Sequence, residues 1–170
     1  DPQTRVISTT HEDIRVVNVY VPNGQSVGSD KFEYKLSWLD HLKKMLRNDL
    51  KKHSKMVILG DFNIAPRDED VHDPEKWRDK ILCSAQERVM FEEILSMGFH
   101  DSFRLFEKGA GFHSWWDYRT AAYTKELGLR IDLLLVSNEL KSLCKKSYID
   151  EKTRWLEKPS DHTPVVIELG

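Results

Sequence analysis

Polar residues of a particular kind stand where the apolar runs of this chain stop. Asp61 and Asn63 follow Met56-Val57-Ile58-Leu59, and Asp132 lies inside IDLLLV (131–136). Asp161 and His162 immediately precede TPVVIEL (163–169), and Tyr20 and Asn23 close IRVVNVYV (14–21). Three carboxylates, an Asn and a His at strand ends suit one job: holding a hard, oxygen-seeking divalent cation, activating a water and neutralising charge at a phosphate. Taken singly, each has a plainer reading. Asp61 after Gly60 can be a turn residue. Asp132 can be half of a structural salt bridge, since a carboxylate in a buried run is costly unless paired. Asp161-His162 can be a cap-like turn.

A second cluster is aromatic. His113-Ser114-Trp115-Trp116-Asp117-Tyr118-Arg119 follows the turn Gly109-Ala110-Gly111. It reads either as core with one exposed Tyr, or as a stacking surface for bases or an extrahelical sugar. Arg119, Lys125 and Arg130 are then candidates for backbone phosphates. Lys43-Lys44 and Lys51-Lys52 read as a solvated helix face.

The elements that must position these groups follow from periodicity. IRVVNVYV is a strand ended by Pro22-Asn23-Gly24. Phe32, Leu36, Leu39, Leu42 and Leu46 recur at helical spacing, which predicts an amphipathic helix over about 30–52. Residues 56–59 form a short buried strand ended by Gly60-Asp61. Residues 64–83, with no clean period, read as a surface loop with one turn of helix. Ser84 with Glu87 is a capping-box signal and Gly98 a C-cap, giving a helix over 84–97. IDLLLV and TPVVIEL are further strands. Strands alternating with helices argue α/β layering.

The 170 residues suit one domain, 1–170. Lys+Arg is 26 against 28 Asp+Glu, a net charge of −2, which excludes a nucleic-acid binder driven by bulk charge but leaves room for a local basic patch. Two cysteines, Cys83 and Cys144, are too few for a disulfide framework and read as reduced, buried thiols. No apolar run approaches a membrane span, and the first residues do not resemble a signal peptide. A cytoplasmic, bacterial-type location is the expectation.

GDFNIAP (60–66), SWWDYR (114–119), GLRIDLLLVS (128–137) and KPSDHTPVV (158–166) together resemble the exonuclease III family of AP endonucleases. NVYVPNG (18–24) is similar to the same family's first catalytic segment. GDFN and SDHxPV alone would indicate only the wider endonuclease/exonuclease/phosphatase superfamily; the Trp-Trp-Asp-Tyr-Arg segment and GLRIDLLL point to this branch. The resemblance implies Mg²⁺-dependent (or Mn²⁺-dependent) hydrolysis of double-stranded DNA at abasic sites, with 3′→5′ exonuclease and 3′-phosphatase activity. By the same resemblance, Asp61 orients or deprotonates the attacking water and Asn63 positions it, both also standing near the metal. His162 contacts the scissile phosphate, Asp132 orients that His, and Asp161 binds metal or water. Tyr20 and Asn23 lie on the phosphate side. Trp116, with Trp115, walls a pocket for a base-free sugar that Leu129 also lines, beside Arg119.

The implied fold is a four-layer α/β sandwich, two mostly antiparallel sheets face to face with helices outside. The departure is at the front. The family's initial Asn-bearing strand and the Glu that is its principal metal ligand have no counterpart, and neither Glu12 nor Glu33 sits in a matching motif. The expectation is therefore a C-terminal part of such a domain. It should bind metal weakly, show little activity alone, and expose an apolar face and strand edges that favour self-association or pairing with the missing segment. A non-catalytic fragment that keeps part of the DNA surface, and a superfamily phosphodiesterase for another phosphate ester, remain alternatives; the aromatic-Arg segment argues against the latter.

Overall fold

The computed structural model describes residues 3–118 and 122–170. Strands β1 (Val6–His11) and β2 (Ile14–Tyr20) form an antiparallel hairpin, and helix α1 (Asp30–Leu50) crosses over to β3 (Met56–Asp61), which runs parallel to β2. Then follow α2 (Pro74–Trp77), α3 (Ala85–Leu95), β4 (Phe99–Asp101), α4 (Phe103–Phe106), β5 (Trp115–Trp116), β6 (Gly128–Leu129), β7 (Asp132–Ser137), α5 (Asn138–Lys141), β8 (Cys144–Ile149) and β9 (Val165–Leu169). Five strands make one sheet in the order β1-β2-β3-β7-β4, with β2–β3 its parallel pair; β5–β6 and β8–β9 are two-stranded ribbons.

Side-chain alternation decides what covers each face. Val17 and Val19 of β2, Ile58 of β3, and Leu133 and Leu135 of β7 point to one side. There they meet Phe91 and Ile94 of α3 and the α1 stripe Trp38, Leu39, Leu42 and Leu46. Each such buried side chain contributes about 1.5–3 kcal/mol. The other face carries Val57, Leu134 and Val136, against which Val165, Ile167 and Leu169 of β9 lie half-buried. Helices on one face and the β8–β9 ribbon on the other give a layered sandwich.

The predicted helices form, with side-chain N-caps, but α3 ends at Leu95 with Ser96 as its C-cap, short of the expected Gly98. The Ser29 hydroxyl accepts from Phe32 N at 3.2 Å, and Ser84 and Glu87 make the reciprocal capping box. Strands β1 and β8 carry no readable pattern, because their residues are mostly polar or exposed. On β1, Ile7 is 71% exposed. Residues 64–83 are only partly a surface loop: α2 is the expected helical turn, but Ile64, Ala65, Asp70, Val71, Leu82 and Cys83 are buried. Lys43 does not lie on a solvated face. It is buried, 2.7 Å from Asp40 and paired with Glu93 of α3. Arg130 is likewise unavailable to phosphate: it is 1% exposed, with Nε 2.7 Å from Asp70 and Nη2 2.6 Å from Asp101. Its guanidinium neutralises two acids that burial would otherwise penalise. Both cysteines are free and buried. Among the described residues no helix is long and apolar enough to cross a membrane.

Candidate active site

The sheet register places the site. Tyr20 pairs with Asp61 across β2–β3, and Asp61 pairs with Asp132 across β3–β7. Directly opposed residues share a face, so the three side chains form one row at the end of the sheet, and opposed like charges disfavour each other. Gly60 permits the close approach. Its φ is +129°, and a Cβ there would lie 2.0 Å from the Val19 carbonyl oxygen.

Beyond Asp61 the chain turns through Asn63, at φ 49°. Asn63 N donates to Asp61 Oδ1 at 2.8 Å and its Nδ2 to Asp61 Oδ2 at 2.9 Å, so one residue engages both carboxylate oxygens. The same Nδ2 donates to Val21 O at 3.0 Å, and Asn23 Nδ2 donates to Asn63 Oδ1 at 3.1 Å. Asp61 is thus a turn residue as well as a site candidate. Burial first, and then the charge of Asp132, push its carboxyl up to about 6, against the Asn63 backbone hydrogen bond and the cations His162 and Lys35. In the protein held in chelator, a ¹³C titration should put the Asp61 carboxyl midpoint near pH 6. A midpoint at or below 4 would mean that neither burial nor Asp132 raises it.

His162 completes the row. Its Nδ1 lies 2.9 Å from Asp132 Oδ2 and 3.1 Å from Oδ1. Burial lowers its basicity, but the Asp132 hydrogen bond and the charges of Asp132, Asp61 and Asp161 outweigh that and hold it above the usual histidine value. Ser114, fully buried, ties Asp132 down: its Oγ donates to Asp132 Oδ2 at 2.7 Å and accepts from Ile131 N and Asp132 N at 3.0 Å. The β5 segment is laced to the His162 loop. Trp116 N donates to Asp161 O at 3.0 Å, Thr163 N to Ser114 O at 2.9 Å, and Trp115 Nε1 to Asp161 Oδ2 at 3.1 Å.

Asp61, Asn63, Asp132, His162 and Asn23 therefore belong to one hydrogen-bonded and register-paired neighbourhood, with Asp161 anchored beside it through Trp115. Tyr20 is 53% exposed, with the Arg5 guanidinium carbon 4.8 Å from its ring centroid. Two residues expected at the aromatic pocket are buried. Leu129 is fully buried among Ala65, Val71, Leu82, Cys83 and Ile131, because the β6 backbone turns its side chain into a second small core. Trp116 is 4% exposed, edge-on to His113 and Tyr123, with the Arg154 guanidinium 5.5 Å from its ring centroid. Trp116→Ala should therefore cost about 3–5 kcal/mol of stability; urea unfolding that finds less than 1 kcal/mol would return the ring to a surface role. Trp115 is the more open of the two. Arg119 lies outside the described residues.

Two supports are not assigned by sequence reasoning. Ser114 sits in a quoted motif but draws no attention beside two Trp. Lys35 is fully buried, and its Nζ donates to Asn63 O at 2.7 Å, to Asn23 O at 3.1 Å and to Glu87. The signal for it was legible: Lys35 stands between Phe32 and Leu39 in the apolar stripe of α1, where a solvated lysine does not belong.

The profile of the Endonuclease/Exonuclease/phosphatase family matches residues 2–162. The chain belongs to the endonuclease/exonuclease/phosphatase family. Within it, the chain is 34% identical to exodeoxyribonuclease III of Haemophilus influenzae, over 99% of this chain and 68% of that protein. The family fold is shared with the 3′ phosphatase NExo from Neisseria bound to product DNA hairpin, at TM-score 0.97 and 47% identity, over 100% of this chain and 66% of that one. An AP endonuclease from Archaeoglobus fulgidus superposes at TM-score 0.92 with 35% identity, over 99% of this chain and 67% of that one. The chain thus spans about two thirds of the length of these family members. The mixed, mostly antiparallel sheet with flanking helices is the sheet-and-helix arrangement the family resemblance implied.

A divalent cation wants several converging oxygens. Among the described residues no three His, Cys, Asp or Glu side chains converge on one point. Asp132 is engaged by Ser114 and His162, Asp161 Oδ2 by Trp115, and both oxygens of Asp61 by Asn63. As they stand, Asp61, Asn63 and Asp161 do not form a complete cage.

Proposed function

We propose that the chain carries the water-activating and phosphate-facing side of a DNA-repair nuclease of the exodeoxyribonuclease III type. Its substrate is duplex DNA, cut at phosphodiesters beside abasic sites and at 3′ ends, with 3′-phosphate removal at the same site. The observation that carries this reading is the Asp61–Asp132–His162 row: one carboxylate held by Asn63, and a second holding an imidazole. Asp61, oriented by its direct hydrogen bonds from Asn63 and once ionised, accepts the proton of the attacking water. Asp132 takes the Nδ1 hydrogen of His162, which fixes the tautomer and turns Nε2 outward. A protonated Nε2 donates to a phosphate oxygen as charge builds up there. Mg²⁺ or Mn²⁺ is the proposed cofactor, its remaining ligands lying outside this donor set. It would supply further charge neutralisation at the phosphate.

The names of the family members support the substrate class: an exodeoxyribonuclease III, a 3′ phosphatase and an AP endonuclease all process DNA ends or abasic sites. The test is incision of an abasic-site duplex with Mg²⁺ by the full-length protein, beside the 170-residue chain alone. Incision by the full-length protein, with much weaker incision by the chain, is the expected result. No incision of the abasic duplex and no release of 3′-phosphate by the full-length protein would overturn the proposal.

A further inference from the structure

The group behind the site is a buried cation. Lys35 occupies a core position of α1, in line with Phe32, Leu39, Leu42 and Leu46, and none of its surface is exposed. An ammonium has three hydrogens to donate, and all three are used: one on Asn23 O at 3.1 Å, one on Asn63 O at 2.7 Å and one on Glu87. Glu87 is itself fixed, accepting from Leu82 N at 3.1 Å, Ser84 N at 3.0 Å and Ser84 Oγ at 2.6 Å. The ammonium is therefore anchored from the core side and grips two backbone carbonyls on the site side.

Those carbonyls belong to the two asparagines whose side chains meet, Asn23 Nδ2 donating to Asn63 Oδ1 at 3.1 Å. Asn63 then spends both its N–H and its Nδ2 on Asp61. It does so from the left-handed backbone region, at φ 49°, where a non-glycine residue persists only if its surroundings hold it. A counter-charge for Glu87 would need one contact; Lys35 spends its other two on the turn that aims the Asn63 amide.

We infer that Lys35 is a positioning residue of the active site, holding the Asn23 and Asn63 backbones so that the Asn63 side chain presents itself to Asp61. The inference rests on the proposed nuclease reading. A misplacement of about 1 Å in such a group costs on the order of 10²-fold in rate, so the expected loss is in kcat, roughly 10–100-fold, with KM within about twofold.

The experiment separates positioning from charge balance in the full-length protein. Lys35→Met leaves Glu87 buried and unpaired, so it is compared with the neutral pair Lys35→Met/Glu87→Gln. Circular dichroism and melting temperature are recorded for each, and incision of an abasic duplex is followed. If Lys35 positions the turn, the folded double variant loses kcat as deeply as the single one, and the Asn63 side-chain amide resonances shift. Recovery of the double variant to within threefold of wild type overturns the inference. If the double variant melts below assay temperature, the comparison passes to Glu87→Gln alone, which keeps both carbonyl contacts. Turnover within threefold of wild type then supports positioning, and a loss as deep as that of Lys35→Met overturns it. An inactive wild type with the Asn63 resonances still shifted in the variants would instead sink the nuclease reading and leave the positioning role standing.

Discussion

Asp61→Asn should lower the turnover of the full-length protein on an abasic duplex by about 10²–10⁴-fold, the range for loss of a positioned general base. The substitution keeps the side-chain volume, removes the site that accepts the water's proton and exchanges one of the two oxygens that accept from Asn63 for an N–H donor. It should cost little stability at neutral pH, because the lost Asn63 hydrogen bond, worth about 1 kcal/mol, is offset by removal of a buried charge. The Asp61 carboxyl is pushed up to about 6 by burial and by Asp132, so between its ordinary value and about 6 the folded state binds a proton that the unfolded state has released. Stability from this group therefore falls as pH rises through that window, and at neutral pH the ionised carboxylate is a net burden that Asn relieves. Wild-type stability retained with activity lost separates a site residue from a structural one. A loss in kcat below about threefold, or a variant that melts well below wild type, would remove Asp61 from the role.

Asp132→Asn should be nearly as damaging, about 10²–10⁴-fold in kcat, because an amide can present N–H where the imidazole Nδ1 needs an acceptor and so favours the wrong tautomer. Two titrations should move with it, both downward. His162 loses the hydrogen bond and charge that hold it above its usual value, and Asp61 loses the opposed charge that helps to raise it. A raised histidine adds stability that is complete at low pH and lost as pH rises through its folded pKa, so that contribution should also shrink. NMR titration of both groups in chelator checks the pair. If His162 keeps its raised value in Asp132→Asn, the contact at 2.9 Å is not what charges the imidazole.

What could be read from the chain in advance was whatever depends on neighbours a few residues away. The α1 stripe, the Ser84–Glu87 box and the apolar runs of β2, β3 and β7 are local patterns, and they formed as read. The motifs around Asp61, Asp132 and His162 were visible as polar groups at strand ends, because a carboxylate next to a buried run is conspicuous wherever the run ends up. Strands such as β1 and β8 were not legible, since exposed, polar strands owe their existence to a partner strand rather than to their own pattern.

Tertiary structure alone decided how those groups meet. Asp61 and Asp132 are opposed only because β3 and β7, more than seventy residues apart, pair in that register; a slip of one residue would turn each to the other face. Leu129 and Trp116, expected at a pocket, are both buried, because an apolar ring or branch leaves water wherever the chain gives it cover. Arg130 and Lys43 looked like surface cations, but acids distant in sequence drew them in. Lys35 shows the division within one residue. Its place on the apolar stripe of α1 was written in the spacing, while its three acceptors come from loops and a helix brought together by the fold, and no local pattern names them.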